Sequence, residues 1–247
     1  MTMKVCIATA GSHGGSIPNI ILDNAASQWM DIETGVGSPV AMYQFLFERK
    51  QSISPDILAY LHDDLDIYDP SWPERVLAEF ADPSVGLVGF GGALRHGHPD
   101  LYRRPYNLQN LARYGYLSNT TDAERHGQLF TGACDVAVLD GFALIVRREI
   151  LERWWQQDGS RQWNGWPIHR LRFHSYDYAL CCVTRRLGYR IRVVGLSCLH
   201  HGGGTSTKPA YQDWLRIQGI TDSEDHEQSH SYIYNEFRDV LPWEVRG

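Results

Sequence analysis

An uninterrupted apolar run, Ile57-Leu58-Ala59-Tyr60-Leu61, opens directly into His62-Asp63-Asp64-Leu65-Asp66-Ile67. A run without alternation is what a strand buried on both faces requires, as in a parallel sheet. Ligands of open α/β sheets bind outside the carboxyl ends of strands. The chain therefore puts three carboxylates and an imidazole where a ligand is expected. Close carboxylates repel one another unless a positive charge lies between them, and a hard divalent cation is the usual one. The stretch implies a metal site, with room for a phosphate on the metal's far side. A solvated acidic loop at a strand end is the alternative.

The chain has 247 residues, 43% of them hydrophobic, enough to bury a sizeable core. Its 23 basic and 29 acidic residues leave a net charge of -6, which argues against a general nucleic-acid binder. The five cysteines are Cys6, Cys134, Cys181, Cys182 and Cys198, and none forms a CxxC pair. That pattern argues against a structural zinc site or disulfide framework and for a reducing, cytoplasmic setting. Met1 to Ala10 lacks the features of a signal peptide, and no apolar run approaches the ~20 residues of a membrane span.

Strands alternate with helices, which predicts an α/β fold. Lys4 to Thr9 reads as a first strand, helical signals run from Pro18 to Trp29, and Ser38-Pro39 opens a helix carrying Val40, Tyr43 and Phe47. No strand is read between Pro18 and Ser54. Ser71-Trp72-Pro73-Glu74 reads as a capping box ahead of Val76, Leu77 and Phe80. Val85 to Phe90 reads as a strand, and Val136 to Val146 as another with Asp140-Gly141-Phe142 inside it. Arg148 to Trp155 reads as a helix, and a second, bearing Leu180, Val183 and Leu187, stops at Gly188. A strand with Ile191 and Val193 then runs to His200-His201-Gly202-Gly203-Gly204. Two helical patches follow, near Tyr211 to Ile217 and Tyr232 to Leu241. No linker separates independent domains; the expectation is one domain over 1–205 with a helical extension, 206–247, packed on it.

Several residues carry candidate chemistry. Asp177 falls in the first turn of a helix that Ser175 would cap, where the helix dipole favours an ionised carboxylate; an ordinary helix-stabilising acid is the alternative. Gly141 beside Asp140 would let a ligand such as a sugar approach the backbone closely, or mark a simple bulge. Trp163 and Trp166 read as packing or rim residues before they read as a sugar platform. Tyr102-Arg103-Arg104-Pro105-Tyr106, with Arg113-Tyr114, offers a cationic, aromatic surface for a phosphate-bearing acceptor, against a solvated loop. Cys181 and Cys182 are expected to be buried and inert.

Three blocks in order resemble one family: Tyr60-Leu61-His62-Asp63-Asp64-Leu65-Asp66 with Asp69-Pro70-Ser71-Trp72; Leu139-Asp140-Gly141-Phe142 with Arg147-Arg148-Glu149-Ile150-Leu151; and Phe173-His174-Ser175-Tyr176-Asp177-Tyr178 with Leu187-Gly188-Tyr189-Arg190 and His200-His201-Gly202-Gly203. Together they resemble the family 2-like glycosyltransferases of the GT-A fold, in particular the small glycosyltransferase-like group named for a streptomycin-biosynthesis protein. The resemblance implies a Rossmann-type mixed, mainly parallel sheet flanked by helices. It also implies a metal-dependent enzyme that moves a sugar from a nucleotide-sugar donor to an acceptor hydroxyl, with inversion. By position Asp64 is similar to the second acid of the family's DxD motif, His62 stands where the first acid usually sits, and Asp64-Leu65-Asp66 offers another DxD. The implied ligands of Mn²⁺ or Mg²⁺ are Asp64, Asp66, and His200 or His201. The implied donor-binding residues are Ala8, Thr9, Asp63, Asp64, Asp140 and Gly141, and the implied general base is Asp177. The acceptor stays open among a glycan, a small molecule and a modified nucleic-acid base, and a homodimer is allowed. Rival readings are another metal-dependent nucleotide-processing enzyme, such as a nucleotidyltransferase or phosphoester hydrolase, and a catalytically inactive binding protein of the same fold.

Overall fold

The computed structural model describes residues 5–10, 29–33, 56–62, 64–96, 115–119, 128–154, 174–201 and 209–245. In chain order the elements are β1 (Val5–Ala10), β2 (Trp29–Glu33), β3 (Ile57–His62), β4 (Leu65–Ile67), α1 (Trp72–Glu79), β5 (Val85–Gly89), β6 (Gly91–Ala93) and β7 (Arg95–His96). They continue through β8 (Tyr116–Ser118), β9 (Gln128–Leu129), β10 (Ala133–Asp135), β11 (Val138–Leu139), β12 (Ala143–Arg147), α2 (Arg148–Trp154) and α3 (Tyr176–Arg186). Last come β13 (Arg190–Val194), β14 (Cys198–His200), α4 (Pro209–Gln218), α5 (Asp222–Glu236) and β15 (Trp243–Glu244).

The apolar run is strand β3, and it lies inside a seven-stranded sheet of order β10-β13-β5-β12-β3-β1-β2. Strands β2, β1 and β3 pair in parallel, as do β5 and β13, whereas β12 runs antiparallel between β3 and β5 and β10 antiparallel on β13. The result is the expected mixed α/β sheet flanked by helices, its parallel pairings interrupted by β12. Side chains of β3 alternate between two cores, as the period of a strand dictates. Ile57, Ala59 and Leu61 pack with Trp72, Val76 and Phe80 on the α1 side. Leu58 and Tyr60 pack with Ile150, Leu151 and Trp154 of α2 and Leu180 of α3. Each large apolar side chain buried this way stabilises the fold by about 1.5–3 kcal/mol. Two buried faces explain the lack of alternation in the sequence.

Three local expectations change. Residues 29–33 form β2, parallel to β1, so a strand does lie between Pro18 and Ser54; its five residues, WMDIE, are too few for a periodicity to declare itself. Ser71 sits at the N-cap of α1 but makes no capping bond. Asp69 accepts from its backbone N–H at 2.9 Å and its hydroxyl at 2.6 Å, drawing the side chain away from the helix. A capping box forms at Thr221 and Glu224 instead, opening α5. Finally, Asp140-Gly141-Phe142 does not lie within a strand: it is the turn by which the chain leaves β11, in a second sheet with β6, β8 and β9, and enters β12. Of the helical segments read from Pro18 to Trp29 and from Ser38-Pro39, only Trp29 is among the described residues, and it begins β2 instead of ending a helix.

The last helix begins earlier than its apolar residues suggested, at Asp222. Its Ile233, with Phe237 just beyond, enters the same core as α3. Arg186 of α3 donates to Asp239 at 2.8 Å, and β15 pairs with β7. Among the described residues no helix is long and apolar enough to cross a membrane.

The core is closely packed where β5 meets α2. A Cβ on Gly86 would lie 2.5 Å from Ile150 Cδ1 and 2.6 Å from Tyr189 Cβ. Gly86→Ala is therefore expected to destabilise the protein by about 1–3 kcal/mol through overpacking. A urea titration checks this; an unchanged midpoint and slope would refute the close packing.

Candidate active site

Strand β3 ends at His62, whose backbone N–H donates to Phe142 O at 2.9 Å. The chain then turns into β4, which pairs antiparallel with β14 so that His200 faces Leu65. The N–H of His201 closes that corner by donating to Asp64 O at 2.9 Å. Local pairing thus brings three side chains to one point. His62 Nδ1 lies 3.2 Å from His200 Nε2 and 3.6 Å from Asp64 Oδ1. His200 Nε2 lies 3.3 Å from Asp64 Oδ1. The Phe142 ring stacks on His200 with centroids 4.8 Å apart and fixes its plane. Burial by itself would raise the Asp64 carboxyl, but its hydrogen bonds to His200 and His62 and their charge outweigh burial, holding it well below the usual carboxylate range.

The three donor atoms are grouped as ligands of one cation are, and two imidazoles with a carboxylate are a donor set suited to a divalent transition metal. The residues therefore fit a metal. His62, which stood in the sequence as a replacement for an acid, is in the structure one of the three converging groups. Asp66 and His201 are brought together with each other, 2.6 Å apart, and not with this group. Leu65 and Ile67 point into the core, so the intervening Asp66 points away from it.

Tyr176, in the first turn of α3, supports the His62–Asp64–His200 corner from behind. Its hydroxyl lies 2.9 Å from His62 Nε2 and 3.5 Å from Gly141 O. With the proton on Nε2 donated to that hydroxyl, His62 Nδ1 keeps its lone pair for a cation, the usual role of a partner behind a ligating histidine. Gly141 makes room for this: a Cβ there would lie 2.8 Å from the Tyr176 hydroxyl. The close approach that the glycine allows is thus used by Tyr176. The sequence held no signal for Tyr176 beyond its place next to Asp177.

Asp177 follows on the same turn and is buried. Ser175 occupies the N-cap with φ 61, in the left-handed region, and makes no side-chain cap. Burial pushes the Asp177 carboxyl up to about 8, helped by the nearby Asp140 charge and opposed by the N–H groups of Tyr178, Asp177 and Gly141. The N–H of Tyr178 donates to Asp177 Oδ1 at 2.9 Å. The helix dipole favours ionisation, as the sequence implied, but burial and Asp140 overcome it. Asp140 is held by its own N–H donating to Gly91 O at 2.9 Å.

Ala8 and Thr9 lie on β1 opposite Tyr60 and Leu61, one strand from His62. Cys181 and Cys182 are buried on α3, as expected. Asp63, Trp163, Trp166, the glycines 202–204 and the arginine-tyrosine segment 102–114 lie outside the described residues.

Comparison with known proteins places this site in context. Glucosyl-3-phosphoglycerate synthase from Mycobacterium tuberculosis, solved with Mg²⁺ and uridine diphosphate, is 13% identical with a TM-score of 0.45, over 90% of this chain and 81% of that one. GalNAc-T7, solved with UDP, GalNAc and Mn²⁺, is 9% identical with a TM-score of 0.45, over 97% of this chain and 52% of that one. The mannosyltransferase PcManGT from Pyrobaculum calidifontis, solved with GDP-Man and Mn²⁺, is 12% identical with a TM-score of 0.39, over 94% and 70%. A search of the curated proteins found no match. A family profile described as a glycosyltransferase-like family matches residues 50–232, which span β3, the His62–Asp64–His200 corner, Asp177 and α4. The chain belongs to that glycosyltransferase-like family.

Proposed function

We propose that the protein transfers a sugar from a nucleotide-sugar donor to an acceptor hydroxyl with inversion. The observation that carries this is the convergence of His62 Nδ1, Asp64 Oδ1 and His200 Nε2 at the carboxyl end of β3, in a chain of a glycosyltransferase-like family. These three residues would hold a divalent cation of the Mn²⁺ type, Mg²⁺ being less suited to two imidazoles. When bound, that cation neutralises the diphosphate leaving group. In this reading Asp66 and His201 form a paired surface clasp rather than ligands.

The donor lies across the ends of β1 and β3, against Ala8, Thr9 and Asp64, with its sugar towards Asp140. Tyr176 keeps the His62 ring oriented. Asp177 accepts the proton of the acceptor hydroxyl as that oxygen bonds the anomeric carbon and the bond to the diphosphate oxygen breaks. Burial serves this role, because a carboxyl with a raised pKa is a stronger base once ionised. The chemistry leaves the acceptor open among a glycan, a small molecule and a modified nucleic-acid base.

The raised Asp177 value has two consequences with a definite sign. A base must be ionised, so the transfer rate is expected to climb as pH rises from 6 towards 8. Stability moves the other way. The folded value, about 8, lies above the ordinary aspartate value of 3.8, so the linked stability is complete below pH ~4 and is lost as pH rises towards 8. Asp140, Tyr176 and Cys181 are the titratable groups whose charge acts on Asp177 or feels it.

Asp177→Asn is expected to lower transfer by ~10²–10⁴-fold. It should also raise the Tm, with a gain that is larger at pH 8 than at pH 5. Mass spectrometry of glycosylated acceptor and calorimetry read the two effects; wild-type turnover in this variant would sink the base assignment, and a pH-independent Tm difference would sink its electrostatic account. Screening nucleotide sugars by thermal shift tests donor and metal together. One donor should raise the Tm in the presence of Mn²⁺, by about 2.7 kcal/mol of stabilisation at a hundredfold excess over Kd. The rise should vanish in His62→Gln, Asp64→Asn and His200→Gln. Stabilisation by no nucleotide sugar with any divalent metal would refute the reading.

A further inference from the structure

A second group of metal-ligating side chains lies where the C-terminal helices meet the start of α3. His174, three residues ahead of Asp177, faces Asp222 and His226 of α5. His174 Nε2 lies 3.8 Å from Asp222 Oδ1, and His226 Nε2 lies 3.7 Å from the same oxygen. The His174 and His226 rings overlap, with centroids 3.8 Å apart. Asp225 Oδ2 stands 4.0 Å from His174 Nε2.

The two acids are held in place by their own contacts. Asp222 and His226 are four residues apart on a helix and so share a face. The Thr221–Glu224 capping box fixes the turn that carries Asp222. The hydroxyl of the fully buried Tyr211, on α4, lies 2.9 Å from both Asp222 Oδ1 and Asp225 Oδ2, the outer support that metal-ligating carboxylates usually receive. His174 and Asp225 are almost covered, while Asp222 keeps 40% of its side chain exposed, which leaves an entrance.

We propose that His174, Asp222 and His226 form a second metal site, for an ion of the zinc class, with Asp225 beside it. Two imidazoles and one carboxylate are a common zinc donor set. Bonds of about 2.0–2.1 Å at a tetrahedral ion put ligand atoms roughly 3.3 Å apart, so the carboxylate-to-imidazole spacings need to close by only a few tenths of an ångström, and the two overlapping rings turn so that both lone pairs meet the ion. The donors come from two distant segments. A bound ion therefore clamps the amino end of α5 to the residue that leads into α3, and through it steadies the turn holding Tyr176 and Asp177. The site is separate from the His62–Asp64–His200 corner and does not depend on the transferase reading.

The test uses the full chain with the first corner disabled, Asp64→Asn with His200→Gln. The metal-free protein is titrated with Zn²⁺ against a chromophoric chelator, and Tm is measured with and without the ion. The expected result is one tightly bound zinc per chain and a rise in Tm. Adding His226→Gln, or separately Asp222→Asn, should weaken zinc binding by a hundredfold or more and abolish the Tm rise. Asp222→Asn keeps the shape of the side chain, so it decides the matter if the histidine variant fails to fold. No bound zinc in the disabled background would overturn the proposal, as would unchanged binding in Asp222→Asn. No nucleotide sugar enters the measurement, so it stands whether or not sugar transfer is found.

Discussion

The site depends on how His62 is held. It is the last residue of a strand clamped between β1 and β12, so its backbone position is set by the core. Its ring is engaged on both nitrogens, Nε2 at the Tyr176 hydroxyl and Nδ1 towards His200 and Asp64. Each contact brings in a different part of the chain: α3 behind, β14 across, and the turn after β3 alongside. The central sheet, the helix that carries the candidate base and the late strand are thereby tied together through one imidazole. The histidine serves here by donating to the hydroxyl behind it while presenting a lone pair in front.

The two acids that matter most are kept in opposite states by their surroundings. Asp64 sits among imidazoles and stays ionised. Asp177 sits in the core near another carboxylate and holds its proton far more tightly. Carboxylates driven apart in this way divide the labour in many acid-base sites, one holding charge and the other moving protons. The separation arises from ordinary packing: Asp140 leaves β11 in a turn, and the start of α3 is buried against the sheet. It needs no special residue type, only the right neighbours.

Much of this was legible in the sequence. The apolar run from Ile57 to Leu61 announced a doubly buried strand, Gly188 marked the end of α3, and Asp64 stood out at a strand end. What could not be read depended on distant partners. His62 and His200 are 138 positions apart, and only the pairing of β4 with β14 shows that both face Asp64 while Asp66 and His201 face each other. The raised pKa of Asp177 comes first from its burial against the sheet and second from Asp140 in another segment. At Ser71 the local pattern was misleading, because Asp69 competes for the same hydroxyl. Strand β2 was missed because WMDIE gives a two-residue period too little length.

The antiparallel insertion of β12 has a consequence for how the protein comes into being. Strand β3 finds one neighbour, β1, upstream, but the other, β12, lies more than eighty residues downstream (Leu61 pairs with Ala143). During synthesis, at roughly 5–20 residues per second, an apolar strand with an open edge waits several seconds for its partner. Non-local pairing of this kind also folds slowly once the chain is complete. The newborn chain is therefore most prone to aggregate in that interval, and its yield in a cell depends on what shields the edge of β3 until β12 arrives.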